Sequence, residues 1–301
     1  FVVRAGEVYT LIEDEKTKMK LFRYVSEIVG NYAFNKLLPF FCDEDGLLEI
    51  KKGEEALTWM DAKIYNKPVT PRYGKPVEIN SLWYNSLKVF ELMSKDLSRK
   101  TFKLKYMKFT IKDIRSLIKK VRSSAKKFVT EGHIADRIEE DIPVDEFRPN
   151  TVIAMSLPND LWDKKVMENT FDIVKNELLT PYGLRTLTPR NSSFKKKYIG
   201  NQTQLDMAYH QGTVWAWLLG PFAETYYKLN KKRMKKSEIK NTIELFIAKF
   251  KEGILKGHIS SVAEIWDGDK PHFPKGCPAQ AWSVSGIMSA ENIFKKTGAK
   301  K

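Results

Sequence analysis

The chain has 301 residues, 42% of them hydrophobic and 12% aromatic, so it can build a core and is not a disordered protein. It carries 52 Lys and Arg against 37 Asp and Glu, a net charge of +15. No run of about 18 apolar residues occurs, so we expect no membrane span. The two cysteines, Cys42 and Cys277, exclude a disulfide framework and favour a reducing, cytoplasmic location.

Apolar residues that recur every three or four positions predict a mainly helical chain. The clearest pattern places Ile111, Ile114, Ile118 and Val121 on one helix face. In chain order, the predicted helices cover 17–34, 82–97, 110–128, 165–179, an apolar stretch at 205–229, 237–254 and 279–296.

Other local signals are sparse. Ser237 is predicted to cap one helix, and Pro278 to lie in the first turn of the last one. Residues 43–46, Asp-Glu-Asp-Gly, predict a turn and lack the rest of a calcium-binding loop. Strand signals are short, as at 152–155. We therefore predict an all-α class, in one domain over residues 1–301.

The net positive charge has two interpretations. A strongly basic chain is typical of nucleic-acid binders. Here most basic residues are Lys in helix-like segments such as 119–120 and 231–233, a pattern that is also typical of solvated helix faces. No RNP, KH or zinc-finger pattern occurs. We expect no nucleic-acid partner, and keep a basic scaffold that binds polyanions as an alternative.

Three long loop regions place carboxylates beside Trp residues, at 57–80, 205–215 and 260–282. Aromatic faces stack on sugar rings, and carboxylates accept hydrogen bonds from hydroxyls. A carboxyl next to Trp can be desolvated and kept protonated, and glycoside hydrolysis needs two carboxyls in different roles. Taken singly, each Trp is more typical of a core residue, and each carboxylate of a cap or an ion pair.

The motifs in these loops resemble the amylo-α-1,6-glucosidase domain at the C-terminus of glycogen debranching enzymes. The resemblance runs in order from about residue 43 to the C-terminus. The motifs are TWMDAK at 58–63 with PVEINSLWYN at 76–85, AYHQGTVW at 208–215 with LLGPF at 218–222, and EIWDGD at 264–269 running on to WSV at 282–284.

The resemblance implies an (α/α)6 toroid whose loops at one end form a sugar pocket, and hydrolysis of α-1,6 branch linkages in glycogen, limit dextrin or another branched α-glucan with inversion. It assigns the general acid to Asp61 and the general base to Glu264. An inverting pair requires carboxyls about 6.5–9.5 Å apart with a water between them. We therefore expect both residues to face one pocket.

Weaker substrate-binding roles follow for other residues of the same loops. Four Trp residues are candidate sugar platforms, Arg72 and Glu78 bind hydroxyls or brace the acid loop, and Asp267 and Asp269 line the pocket or order the turn at Gly268. A structural role for His210 stays equally open. The full set is Trp59, Lys63, Arg72, Glu78, Trp83, Asp206, His210, Gln211, Trp215, Trp266, Asp267 and Asp269.

No metal or cofactor is predicted. The four histidines, at 133, 210, 258 and 272, are far apart and lack the spacing of metal ligands. Gly-rich phosphate-binding loops are absent from the sequence.

The sequence also departs from the family pattern. Two segments that precede the Trp-Met-Asp motif in relatives, one ending in Trp-Gly-Arg-Asp and one of the type Tyr-Asn-x-x-Asp-Ala, are missing. Residues 1–6, which begin without Met and lack a signal peptide, resemble the strand that leads into the first. The departures suggest an internal deletion near 10–18 in a chain that begins inside a longer protein. An incomplete toroid with impaired catalysis is therefore an alternative.

Overall fold

The computed structural model describes residues 1–104, 107–257 and 261–296. Helices form most of its ordered framework. They are, in chain order, α1 (Val2–Tyr9), α2 (Glu15–Phe34), α3 (Val77–Asp96), α4 (Ile111–Ser124), α5 (Asn150–Ser156), α6 (Lys164–Glu177), α7 (Gln202–Ala208), α8 (Leu219–Asn230), α9 (Lys236–Gly257) and α10 (Ala281–Lys296).

Local capping signals explain where several helices begin. Asp14 accepts the backbone N–H groups of Lys16 and Thr17 at the start of α2. Thr110 and Asp113 form a reciprocal capping box at the start of α4. The predicted helices at 17–34, 82–97, 110–128, 165–179, 237–254 and 279–296 are confirmed as α2, α3, α4, α6, α9 and α10, with ends that differ by a few residues.

Several local predictions are wrong. Residues 152–155 lie inside α5, because a short apolar run has no period that separates a strand from a buried helix. Residues 1–6 belong largely to α1 and form no strand. Ser237 lies within α9, and Pro278 precedes α10. The apolar stretch at 205–229 is divided between α7, a short strand and α8.

Short antiparallel strands connect the helices, which corrects the all-α class to a helical framework with small sheets. The strands are β1 (Phe40–Cys42), β2 (Leu48–Ile50), β3 (Lys63–Ile64), β4 (Lys67–Pro68), β5 (Lys75–Pro76), β6 (Thr101–Lys103), β7 (Lys108–Thr110), β8 (Val129–Thr130), β9 (His133–Ile134), β10 (Arg137–Glu139), β11 (Ile142–Val144), β12 (Leu179–Thr180), β13 (Gly183–Arg185), β14 (Val214–Trp215), β15 (Ile265–Trp266) and β16 (Pro274–Lys275).

The largest sheet brings two of the Trp-rich loop regions together. Its order is β12-β13-β14-β15-β16, with Trp215 opposite Ile265 in the register of β14 and β15. A three-stranded sheet in the order β11-β10-β5 joins Arg137 to Pro76 beside the first loop region. Strand pairing thus places segments that are distant in sequence side by side.

Two hydrophobic clusters hold the elements together. The larger one includes apolar residues of α1 to α6 and of α8, and the smaller one is formed mainly by α8, α9 and α10. Helix α3 packs against α1, α2, α4 and α5, and α8 packs against α5, α6, α9 and α10. The (α/α)6 closure and the single domain stay predictions. Within the described ranges, no helix has both the length and the apolar character to cross a membrane.

Candidate active site

The loop that carries Asp61 is anchored through Trp59. The Trp59 indole N–H donates to Asn150 Oδ1 over 2.7 Å, and Asn150 Nδ2 donates to Asp136 Oδ1 over 2.7 Å. Asp61 itself is exposed. A buried anchor therefore carries an accessible carboxyl two residues further along the chain.

A buried ion cluster of Arg72, Glu78 and Asp136 lies behind this anchor. Arg72 contacts both Glu78 oxygens and donates from Nε to Asp136 Oδ2 over 2.9 Å. Burial opposes the charge of Arg72, but the Asp136 and Glu78 carboxylates raise its pKa. The side chains of Arg72 and Glu78 are 1% and 3% exposed, so bracing of the loop fits this geometry and direct contact with a sugar hydroxyl does not.

Burial affects the two carboxyls of this cluster in different ways. It raises the pKa of Glu78, despite the opposing charge of Arg72. Burial acts in the same direction on Asp136, but the charges of Arg72 and Arg148 hold the pKa of that carboxyl below its usual range. Asp136 is therefore the ionised partner that accepts hydrogen bonds from both Arg72 and Asn150.

An aromatic cluster surrounds the Trp59 ring. Trp59 meets His210, Trp215 and Trp217 edge to face, with ring centroids 5.4, 5.6 and 5.0 Å apart. His210 stacks on Trp215 at 5.4 Å, and Trp217 stacks on Trp282 at 5.4 Å. Trp59 stays partly exposed, whereas Trp215 is 1% exposed. Trp59 therefore fits a sugar platform, whereas the faces of Trp215 are covered by its neighbours and the platform role of Trp215 stays a prediction.

His210 is held neutral in this cluster. Burial, followed by the positive charge of Arg148, lowers the pKa of His210 to about 3. Within the part of the chain that the structure describes, neither ring nitrogen of His210 has a hydrogen-bond partner. Its ring lies edge to face against Trp59, and its role as a pocket residue stays a prediction.

Glu264 is bound by donors from two parts of the chain. Tyr209 donates its hydroxyl to Glu264 Oε1 over 2.6 Å, and Gln280 Nε2 donates to the same oxygen over 3.2 Å. The backbone N–H of Cys277 donates to Oε2 over 3.0 Å. The carboxylate is only partly buried. Its orientation is therefore fixed although the residue is not fully buried.

The Tyr209 phenol is influenced electrostatically by both Glu264 and Asp61. Burial raises the pKa of the Tyr209 phenol well above its ordinary value, and the hydrogen bond to Glu264 and the charges of Glu264 and Asp61 act in the same direction. The Asp61 charge thus lies within electrostatic range of the phenol that contacts Glu264. The opposed arrangement of Asp61 and Glu264 across one pocket stays a prediction.

Three further predicted residues lie at the edges of this region. Gln211 accepts a hydrogen bond from buried Arg148 over 2.9 Å and donates to the Val69 carbonyl, so it supports the loops. Asp206 accepts from Gln202 within α7, and Lys63 pairs with Glu55 at 3.5 Å near the surface. Helix α7, which contains Asp206, packs against strand β3, which contains Lys63.

Beyond Glu264, the EIWDGD segment is hydrogen-bonded to the loop that contains Lys196 and Tyr198. Asp267 is 3% exposed and accepts the backbone N–H of Tyr198 over 2.8 Å. The backbone N–H of Asp269 donates to the Lys196 carbonyl over 3.0 Å. Trp266 is 6% exposed and stacks on Tyr182 at 5.6 Å, so one of its faces is covered, and its role as a sugar platform stays a prediction.

Trp83 is a core residue. It is 3% exposed, its indole N–H donates to the Gly46 carbonyl over 3.0 Å, and Tyr32 packs against its ring. The faces of Trp83 are therefore covered, and the sugar platform proposed there stays a prediction. The sequence separates the two residues only by predicted element, since Trp83 falls in the helix predicted at 82–97 and Trp59 in a loop.

Four residues near Glu264 and Trp59 escaped the sequence analysis. Tyr209 and Gln280 contact the Glu264 carboxylate, and Trp217 and Trp282 extend the aromatic cluster. A signal for Tyr209 existed, since it adjoins His210 inside the AYHQGTVW motif. Gln280 has no such signal, because only the folded loop directs its amide to Glu264.

The histidines and cysteines occupy separate places. His133 contacts Asp145, and His272 bonds through Nδ1 to the Asp267 carbonyl over 2.9 Å, whereas His258 lies outside the described residues. Cys42 and Cys277 are both free thiols. Among the described residues, no group of three or more His, Cys, Asp or Glu side chains is placed to hold a metal ion.

Two solved structures share the fold. One is a sialidase with a TM-score of 0.65 at 14% identity, matched over 95% of this chain and 25% of its own. The other is the neutral trehalase Nth1 from Saccharomyces cerevisiae, with a TM-score of 0.55 at 12% identity, over 76% of this chain and 40% of its own.

Sequence comparisons identify the family. The glycogen debranching enzyme of Saccharomyces cerevisiae (strain ATCC 204508 / S288c) is 26% identical over 280 residues, which cover 77% of this chain and 18% of that enzyme. The chain therefore spans less than a fifth of the length of this curated relative. The family described as Amylo-alpha-1,6-glucosidase matches residues 1–289. The chain thus belongs to the amylo-α-1,6-glucosidase family of glycoside hydrolases.

Proposed function

We propose that the chain hydrolyses α-1,6-glucosidic branch linkages of glycogen or a limit dextrin, with inversion at the anomeric carbon. The observation that carries the proposal is the Tyr209 phenol, which donates to Glu264 and responds to the charge of Asp61. Two carboxyls near one buried aromatic cluster match the requirement of a glycosidase for an acid and a base. Membership in the family supports the substrate class.

In this mechanism Asp61 is the general acid. Its exposed position allows it to reach a glycosidic oxygen, and Trp59, which is anchored to Asn150, holds the loop in place. Asp61 gives its proton to the leaving oxygen as the bond from that oxygen to the anomeric carbon breaks. A bound sugar would cover Asp61 and stack on the partly exposed ring of Trp59.

Glu264 is the general base. It removes a proton from a water whose oxygen bonds to the anomeric carbon on the face opposite to the leaving group. The bonding electrons of the broken C–O bond remain on the leaving oxygen, which is neutralised by the Asp61 proton. After each turnover, solvent returns a proton to Asp61 and removes one from Glu264.

The test is glucose release from a phosphorylase limit dextrin by the 301-residue chain, by Asp61→Asn and by Glu264→Gln. We expect each substitution to lower kcat by about 10²–10⁴-fold, since neither amide can exchange the required proton. Polarimetry or proton NMR should detect β-glucose as the first product. Equal activity of all three proteins would remove both residues from the mechanism, and α-glucose as first product would contradict inversion.

A second candidate is a glucan-binding remnant of the same family with impaired catalysis. It is favoured by an apolar cavity of about 420 Å³ among α1, α2, α3 and the β1–β2 hairpin, lined by Val2, Ile28, Tyr32, Leu48 and Trp83. Such a cavity leaves apolar side chains without packing partners in the part of the chain where the sequence analysis expects two family segments to be missing. Binding of glucan without glucose release by the unmodified chain would support the remnant and reject the enzyme.

A further inference from the structure

The hydrogen bonds of Glu264 distinguish its two carboxylate oxygens. Oε1 accepts from the Tyr209 hydroxyl at 2.6 Å and from Gln280 Nε2 at 3.2 Å. Oε2 accepts from the backbone N–H of Cys277 at 3.0 Å. A carboxylate oxygen offers about two lone-pair sites. Among the described residues, Oε1 is therefore saturated, and Oε2 keeps one site for a further donor.

The backbone at Gly276 lies close to Oε2 of Glu264. Gly276 has a φ of +68°, and a Cβ added there would collide with Glu264 Oε2. The two chain segments are locked together, since the Glu264 N–H donates to the Cys277 carbonyl and the Gln280 N–H donates to the Val262 carbonyl, each over 2.9 Å. A glycine at this position permits the close approach, because any side chain there would occupy the place beside Oε2.

Tyr209 is suited to a fixed donor role. Its carbonyl accepts from Thr213 Oγ1 over 2.5 Å and from Trp215 Nε1 over 3.2 Å, and its ring meets Trp215 edge to face at 5.0 Å. The raised pKa of the phenol keeps its proton in place over the working range of an enzyme. The hydroxyl therefore donates to Glu264 throughout and never competes for the proton of a water.

We propose that Tyr209, together with Gln280, occupies Oε1 of Glu264, so that Glu264 accepts the proton of the attacking water through Oε2 alone. Tyr209 is thus a positioning residue for the base, and this inference rests on the proposed function. In the reaction, the water O–H bond breaks and its proton goes to Oε2. The water oxygen bonds to the anomeric carbon, and the leaving oxygen takes the Asp61 proton.

The test uses Tyr209→Phe with Tyr198→Phe as its matched control. Tyr198 lies beside Tyr209, at 5.9 Å between ring centroids, and feels the Glu264 charge. Within the described residues its hydroxyl makes no hydrogen bond to Glu264. We expect Tyr209→Phe to lower kcat about 10- to 100-fold with KM changed less than twofold, as for loss of a hydrogen bond to a charged group. Tyr198→Phe should stay within threefold of the unmodified chain.

Two substrates separate the base from the acid, because Tyr209 lies near both carboxyls. Hydrolysis of α-D-glucosyl fluoride needs little protonation of the leaving group. Loss of the acid Asp61 should therefore lower kcat less on the fluoride than on limit dextrin. A defect in the base should be equally large on both substrates. We expect Tyr209→Phe, like Glu264→Gln, to lower kcat equally on both substrates. Gln280→Ala should lower kcat less, and again equally on both substrates. A defect of Tyr209→Phe that shrinks on the fluoride would overturn the proposal.

Further outcomes keep the two hypotheses apart. Full activity of Glu264→Gln on both substrates would reject Glu264 as base, and with it the proposed mechanism. If Glu264→Gln is inactive while Tyr209→Phe has the same kcat as Tyr198→Phe, only the positioning role of Tyr209 is rejected. Melting temperatures and glucan binding show whether a variant has a folding defect. The proposal would also be overturned if Tyr209→Phe has a lowered melting temperature while Gln280→Ala retains the full kcat.

Discussion

At the scale of single residues, burial determines which groups can take part in chemistry. Asp61 and His210 belong to two different loop regions that meet at Trp59, yet His210 is buried within the aromatic cluster and Asp61 is at the surface. Burial lowers the pKa of His210 to about 3, so the ring stays neutral over the range in which glycosidases operate. A neutral imidazole can donate through one nitrogen and accept through the other, which suits a sugar hydroxyl.

The pKa of His210 predicts a pH dependence of stability. In the unfolded chain the ring takes up a proton below about pH 6.5, whereas in the folded chain it does so only near pH 3. The unfolded state therefore binds the proton first, and the free energy of unfolding falls by up to about 1.4 kcal/mol per pH unit below pH 6.5. The contribution of His210 is fully present above pH 6.5.

Urea unfolding of the unmodified chain and of His210→Gln between pH 7.5 and 4.5 measures this effect. The variant should lose less stability than the unmodified chain as the pH falls, although it starts from a lower value because its ring contacts are gone. Parallel curves for the two proteins would show that His210 does not titrate as its burial implies.

Sequence motifs select loops that the structure brings together, but they do not predict the burial of individual side chains. The Trp59 loop, His210 and Glu264 were all selected from motifs, and the structure places them around one aromatic cluster and one tyrosine. Trp83 was selected on the same grounds and lies in the core. Whether an indole is covered depends on packing against elements far away in sequence, which periodicity does not encode.

At the scale of elements, short strands rather than helices determine where the loops meet. Strands β13, β14 and β15 place Arg185, Val214 and Trp266 in adjacent rows, which brings the AYHQGTVW and EIWDGD segments together. The sequence predicts most helices but none of these strands, because strands of two or three residues are too short to show alternation. These strands are defined by hydrogen bonds to strands that are distant in sequence and not by a local residue pattern.

Gly183 is the point at which this sheet tolerates no side chain. It lies in β13 with a φ of +136°, and an added Cβ would collide with the Trp215 carbonyl. We expect Gly183→Ala to lower the free energy of unfolding by about 1–3 kcal/mol through backbone strain, with further loss from the clash. Thermal unfolding measures it, with Gly53→Ala as the control, because no atom lies within 4 Å of a Cβ added at Gly53. Equal melting temperatures for both variants would contradict the close approach.

At the scale of the whole molecule, a continuous series of buried ion pairs and hydrogen bonds connects the helices to the loop of the proposed site. Arg72 in the first loop region pairs with Glu78 in α3 and with Asp136 before β10, and Asp136 continues through Asn150 in α5 to Trp59. Partners in four separate segments stabilise one conformation of the loop that carries the proposed acid. A buried charge with all its partners present is tolerated, but removal of one partner leaves the others uncompensated.

Arg72→Met should therefore destabilise the entire chain, by about 3–5 kcal/mol, since Asp136 and Glu78 would remain buried without their cation. Arg115→Met is the matched control. Arg115 pairs with Glu91 at 2.9 Å, but its side chain is 54% exposed, so its loss should cost about 0–1 kcal/mol. Urea unfolding at neutral pH compares the two variants with the unmodified chain. A similar small loss for both would mean that water reaches the Arg72 cluster, and the anchoring of Trp59 would then need another cause.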